Sequence, residues 1–94
     1  MIQVLVRHNV EDYNKWRPVY DGHEAFRKET GSLGARVLRD ANDPTNIVVV
    51  TDWPDMKSAQ AFAGSASLHE AMGKSGIVGK PDVYFLEQVD AQRA

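Results

Sequence analysis

The chain has 94 residues, eleven Lys and Arg against thirteen Asp and Glu, a formal net charge of −2 and no cysteine. That length suits one domain spanning residues 1–94, and a domain so small buries only about 60–65% of its unfolded surface, so a second copy would help it. The dispersed charge offers no basic stripe for nucleic acid or anionic membrane, the missing cysteine excludes disulfides, thiolate nucleophiles and cysteine-held zinc or iron–sulfur centres, and no apolar run approaches the ~20 residues that cross a bilayer.

A strand is expected over Met1–Val10, with Ile2, Val4, Val6 and His8 on one face and Gln3, Leu5, Arg7 and Asn9 on the other. Because this strand starts almost at Met1, no signal peptide is expected and the cytoplasm is the expected location. Asp12 suits a helix cap. From Tyr13 to Arg27 the pattern is helical, and at ~100° per residue Trp16, Val19, Tyr20, His23, Phe26 and Arg27 share one side. Pro18 is expected in the first turn of the main helix, after a short lead-in ending near Arg17. Gly31 ends the helix.

Gly34–Ala41 alternates as a second strand, and Asn42–Asn46 is a turn cluster leading to the third strand, Ile47–Trp53. That strand, IVVVTDW, is apolar on both faces, as a central strand covered on both sides would be. A second helix opens at Pro54–Asp55, is interrupted at Gly64-Ser65, and resumes over Ser67–Lys74. Gly73, Gly76 and Gly79 fall in an expected loop, a possible pocket flap, before a last strand over Asp82–Val89. Val83 and Phe85 share one face of it, Tyr84 and Leu86 the other. The tail from Asp90 to Ala94 is polar.

The order β-α-β-β-α-β is the ferredoxin-like arrangement, a four-stranded antiparallel sheet with helices on one face. Two helices cannot cover both faces, yet the third and fourth strands are apolar on both. Face-to-face pairing of two sheets in a homodimer closes the exposed side.

Among candidate site residues, His23 stands in the middle of an aromatic helix face, where an imidazole can serve as acid or base. The structural alternative is a core histidine with one polar partner. His8 ends the first strand, where a rigid backbone can carry a side chain to an opening; a rim histidine is the equal alternative. Arg27, one turn beyond His23, can hold a carboxylate or enolate oxygen, or else pair with surface acids. Tyr13, Trp16, Tyr20, Phe26, Trp53 and Phe85 suit the walls of a flat apolar slot as well as an ordinary aromatic core. His69 is a further contact candidate, although a partly exposed helix histidine is the stronger reading of it. No H-x-H, H-x-x-x-H or E-x-x-H spacing joins the three histidines, so no metal site is expected.

The element order at this length, the VRHNVEDYNKW start, the Asp12–Arg27 pattern D-Y-x-x-W-x-P-x-Y-x-x-H-E-x-x-R and the closing PDVYFLEQV strand resemble the dimeric α+β barrel superfamily. The similarity is to its antibiotic biosynthesis monooxygenase-like members. The resemblance implies the barrel dimer and a class of chemistry that includes cofactor-free oxygenases of polyketide-like phenols. Their Asn, Trp and Arg group has counterparts by type in Asn9, Trp16, Trp53 and Arg27. The expectation is a small cofactor-independent enzyme with a pocket between helix and sheet, acting on an aromatic or polyketide-like molecule by oxygenation or by proton transfer, as an isomerase or cyclase. His23 or His8 would be acid or base and Arg27 the oxyanion holder. The alternatives are a non-catalytic ligand-binding or stress-related homodimer using the same pocket, and a purely structural dimerisation module.

Overall fold

A computed structural model describes residues 1–92; Arg93 and Ala94, at the end of the polar tail, lie outside the described residues. The elements run β1 (Ile2–Val10), α1 (Tyr13–Gly22), α2 (Glu24–Thr30), β2 (Gly34–Asp40), β3 (Asp43–Trp53), α3 (Met56–Ala63), α4 (Ala66–Lys74) and β4 (Ile77–Glu87). The strands form one antiparallel sheet in the order β2-β3-β1-β4. This is the expected ferredoxin-like α+β architecture, with each of the two helical stretches divided in two.

The first helical stretch divides elsewhere than expected. Asp12 caps α1 by accepting from the Asn14 backbone N–H at 2.9 Å, and the helix runs through Pro18. Proline removes one bond, to the Asn14 carbonyl. Asn14 and Pro18 both lie on the exposed side, where water can satisfy that carbonyl. The chain breaks instead at His23, which follows Gly22 and adopts φ −92°, ψ 0°. Glycine there weakens the helix at the point where the chain turns. The next helix closes on Gly31 at φ 113°, a left-handed cap.

Strand β4 starts at Ile77, five residues earlier than Asp82. Its register against β1 shifts between the Arg7–Asp82 and Asn9–Val78 pairs, so Gly79, Lys80 and Pro81 bulge out opposite His8. Gly79, at φ 77°, lets the strand make that excursion. The glycines read as a flexible loop therefore belong in part to a strand.

Alternation along β1 sends Val4, Val6, His8 and Val10 under the helices. Two apolar clusters form there. One joins Val4, Val6 and Trp53 to Ala59 and Phe62 of α3; the other joins Val10, Ile47 and Val49 to Trp16 of α1. The opposite face carries Leu5, Val48 and Val50 in the centre, and Leu38, Tyr84 and Leu86 towards its edges, the last three at least 41% exposed.

Trp53 is fully buried, packs its ring tilted against Phe62 with centroids 4.8 Å apart and donates its indole N–H to Thr51 Oγ1 at 2.8 Å. Trp53→Ala is expected to cost about 3–5 kcal/mol, as large aromatic truncations in cores do, read as a lowered urea midpoint. Asp55→Ala, which removes the α3 cap on Ser58 N–H at 2.7 Å, is expected to cost about 1 kcal/mol.

Candidate active site

Between the two apolar clusters the helices and sheet leave a cavity. Val6 and His8 enter it from β1, Val49 and Thr51 from β3, Trp16 and Tyr20 from α1, and His23 and Arg27 from the α1–α2 junction and α2. Leu68, Ala71 and Met72 of α4 close the far side. The volume open to water-sized spheres is about 60 Å³, below the ~150 Å³ apolar cavity that holds a benzene ring.

His8 owes its place to period two: it follows Val4 and Val6 on the inward face. It is only 6% exposed, and neither ring nitrogen has a hydrogen-bond partner among the described residues. Its ring lies 5.6 Å from that of Trp16. Burial pushes its pKa below the ordinary 6.5, so the imidazole is neutral at pH 7. A neutral imidazole has one N–H donor and one acceptor nitrogen. Both are available inside the cavity, and leaving them unpaired there is costly.

Arg27 is also 6% exposed. Its Nη1 donates to the Tyr20 carbonyl at 3.0 Å, and the guanidinium lies 4.0 Å from the Tyr20 ring centroid. Lys15, Arg17, Lys28 and Lys74 each pair with a carboxylate one turn away on their helices. No carboxylate pairs with Arg27 among the described residues; the position one turn before it is His23. A guanidinium has five N–H donors in a planar fork, so this buried cation retains capacity for an anionic oxygen.

His23 sits at the α1–α2 break, stacks on Phe26 at 4.8 Å, and its Nε2 is 2.9 Å from Ser67 Oγ. Burial and then the charge of Arg27 push its pKa down. It thus has a polar partner that His8 lacks.

The structure brings His8, His23, Arg27, Trp16 and Tyr20 around one cavity. It does not bring the other expected wall residues there. Tyr13 and Phe26 pack behind, against the Trp16 and Val4–Phe62 clusters respectively. Trp53 is core. Phe85 pairs with Val4 at the uncovered edge of the sheet and is 41% exposed; β4 lies beyond the reach of the helices at that point. His69 is exposed on the outer side of α4 and lines a separate groove. Thr51 and Ser75, both buried at the cavity, were not singled out by sequence. Thr51 had a legible signal, as the one hydroxyl on the inward face between Val49 and Trp53. Ser75 had none, since it follows the helix. Among the described residues no group of three or more His, Asp or Glu could hold a metal ion.

Residues 16–74, well over half of the chain, match the antibiotic biosynthesis monooxygenase family. The chain belongs to that family. No curated protein matches it. Among solved structures it is similar to an antibiotic biosynthesis monooxygenase-type protein from Bordetella bronchiseptica, at TM-score 0.79 and 18% identity over 94% of this chain and 96% of that one. A comparable protein from Caulobacter crescentus superposes at TM-score 0.78 and 18% identity, covering 95% and 90%. The N63A variant of SnoaB, a cofactor-independent oxygenase from Streptomyces nogalater, does so at TM-score 0.77 and 16% identity, covering 96% and 94%. At these identities the likeness is one of fold.

Lowered histidine pKa values have a definite consequence for stability. Below the ordinary 6.5 the unfolded chain takes up protons that folded His8 and His23 resist, so stability is full above that pH and falls as pH drops through and beneath it. Urea unfolding between pH 7.5 and 5 is expected to show that decline, and His8→Leu to flatten it while leaving the part due to His23. An unchanged slope in His8→Leu would contradict the neutral, buried assignment.

Proposed function

We propose that this protein is a small cofactor-independent enzyme that removes a proton from an aromatic, polyketide-like substrate whose reacting edge enters this cavity. One observation carries the reading: an apolar cavity holds a buried histidine and a buried arginine that, among the described residues, have no hydrogen-bond partner on either ring nitrogen and no paired carboxylate respectively. Trp16 and Tyr20, their rings stacked at 5.1 Å, would offer a flat wall. His8 would accept the proton from a phenol or an acidic methylene, and Arg27 would hold the resulting anionic oxygen. His23, through Ser67, would orient the helix junction or relay a proton. Family membership and the likeness to a cofactor-independent oxygenase favour oxygenation as the subsequent step. The carbanion would give one electron to dioxygen, the radical pair would join as a peroxide, and loss of water would leave a ketone. In sum a CH₂ and O₂ become C=O and H₂O, with no outside reductant. Proton return to another carbon would instead give an isomerase or cyclase with the same residues.

The test is oxygen uptake with a 1,8-dihydroxyanthrone, alongside substrate binding. His8→Gln is expected to lower kcat about 100-fold or more, the usual share of a general base, with binding changed only a few-fold. Arg27→Gln is expected to lose a similar factor, as for an oxyanion donor. Full turnover in both variants would defeat the assignment, and binding without turnover in the wild type would favour the ligand-binding alternative.

The same reading includes a homodimer through the open sheet face, working in the cytoplasm. Supporting it are the apolar side chains there; no helix among the described residues is long and apolar enough to cross a membrane. Tyr84→Lys with Leu86→Lys, two charges on exposed positions of that face, is expected to give monomers in sedimentation velocity. A dimer that persists would point to a different interface.

A further inference from the structure

A groove of about 470 Å³ runs along the outside of α4 and β4. It shares Val6, Leu68, Met72 and Ile77 with the inner cavity, so these side chains form the partition between the two spaces. The inner space is too small for a fused ring. A ring-shaped ligand that reaches His8 must extend through the partition. The partition is a weak one: α4 has no buried residue, whereas α3 buries Ala59 and Phe62. Met72 is unbranched and adapts its shape readily.

The groove has a definite charge character. Lys80 and His69 line it, and no Asp or Glu does. Lys80 makes no ion pair among the described residues, in contrast with Lys15, Lys28 and Lys74 of the helices. It owes its position to the bulge of β4 opposite His8, which swings residues 79–81 out of the ladder.

We infer that the ligand is an aromatic acid whose ring passes between Leu68 and Met72 towards His8 while its carboxylate stays in the outer groove on Lys80, with His69 as a second donor. Lys80 is thus a specificity-determining residue, set on the opposite end of the ligand from Arg27. This rests on the reading of the inner cavity as a ligand site, but not on turnover.

Calorimetric titration of the wild-type protein with 2-naphthoate and with its uncharged counterpart 2-naphthamide tests it. Naphthoate is expected to bind roughly fivefold more tightly, the upper range for a part-exposed ion pair. In Lys80→Gln that preference should fall to near unity, with naphthamide affinity unchanged. In His8→Gln the preference should persist, which separates this outcome from failure of the proton-transfer reading. The inference is overturned if the wild type shows no preference or binds neither compound at millimolar concentration. It is overturned equally if the preference survives Lys80→Gln, or if it disappears in Arg27→Gln instead, which would place the carboxylate at the inner arginine.

Discussion

The position of β1 between β3 and β4 governs the rest of the molecule. A strand hydrogen-bonded on both sides has no freedom of register, and a slip of one residue would turn every inward side chain outward. Val4, Val6 and Val10 hold that register by burial. His8 is carried inward with them although an imidazole gains little there. The apolar positions thereby force a polar ring into an apolar space, and the cost of its unpaired nitrogens is met elsewhere in the fold. Opposite that ring β4 cannot keep step. It bulges at Gly79–Pro81, and the irregularity opens the groove beside the cavity.

The electrostatics of the helices sharpen the contrast between surface and site. Cations on the outer faces of α1, α2 and α4 meet carboxylates one turn away. These pairs are exposed and contribute little to stability. Among the described residues no carboxylate pairs with Arg27, which meets a carbonyl and an aromatic face instead. A cation that pairs with no carboxylate and a neutral histidine with no hydrogen-bond partner, both among the described residues, thus face one apolar cavity.

Much of this was legible in the chain itself. Alternation in β1 and β3, the Asp12 and Asp55 caps, the Gly31 terminus and the helical face of Trp16, Tyr20, His23 and Arg27 all follow from local periodicity and capping chemistry. Trp53 and Phe85 were not legible as non-wall residues. Alternation assigns each to a face, but not to a distance from the cavity along the strand or across the sheet. The helix break was misplaced because Pro18 is a strong local signal and Gly22 a weak one. The exposed side of α1 tolerates the proline, so the weaker residue yielded where the chain had to turn.

Local sequence thus determined the secondary elements, their inward faces and the residue types available for chemistry, because these depend on repeat geometry and on interactions a few residues long. Tertiary structure decided which of those residues meet. The sheet order β2-β3-β1-β4 put His8 in the middle of the sheet and Phe85 on its edge. The packing of the helices on the sheet enclosed His8 with Arg27, and the extra residues in β4 placed Lys80 outside the partition. Each of these depends on packing between segments distant in the chain, and no short-range pattern encodes it.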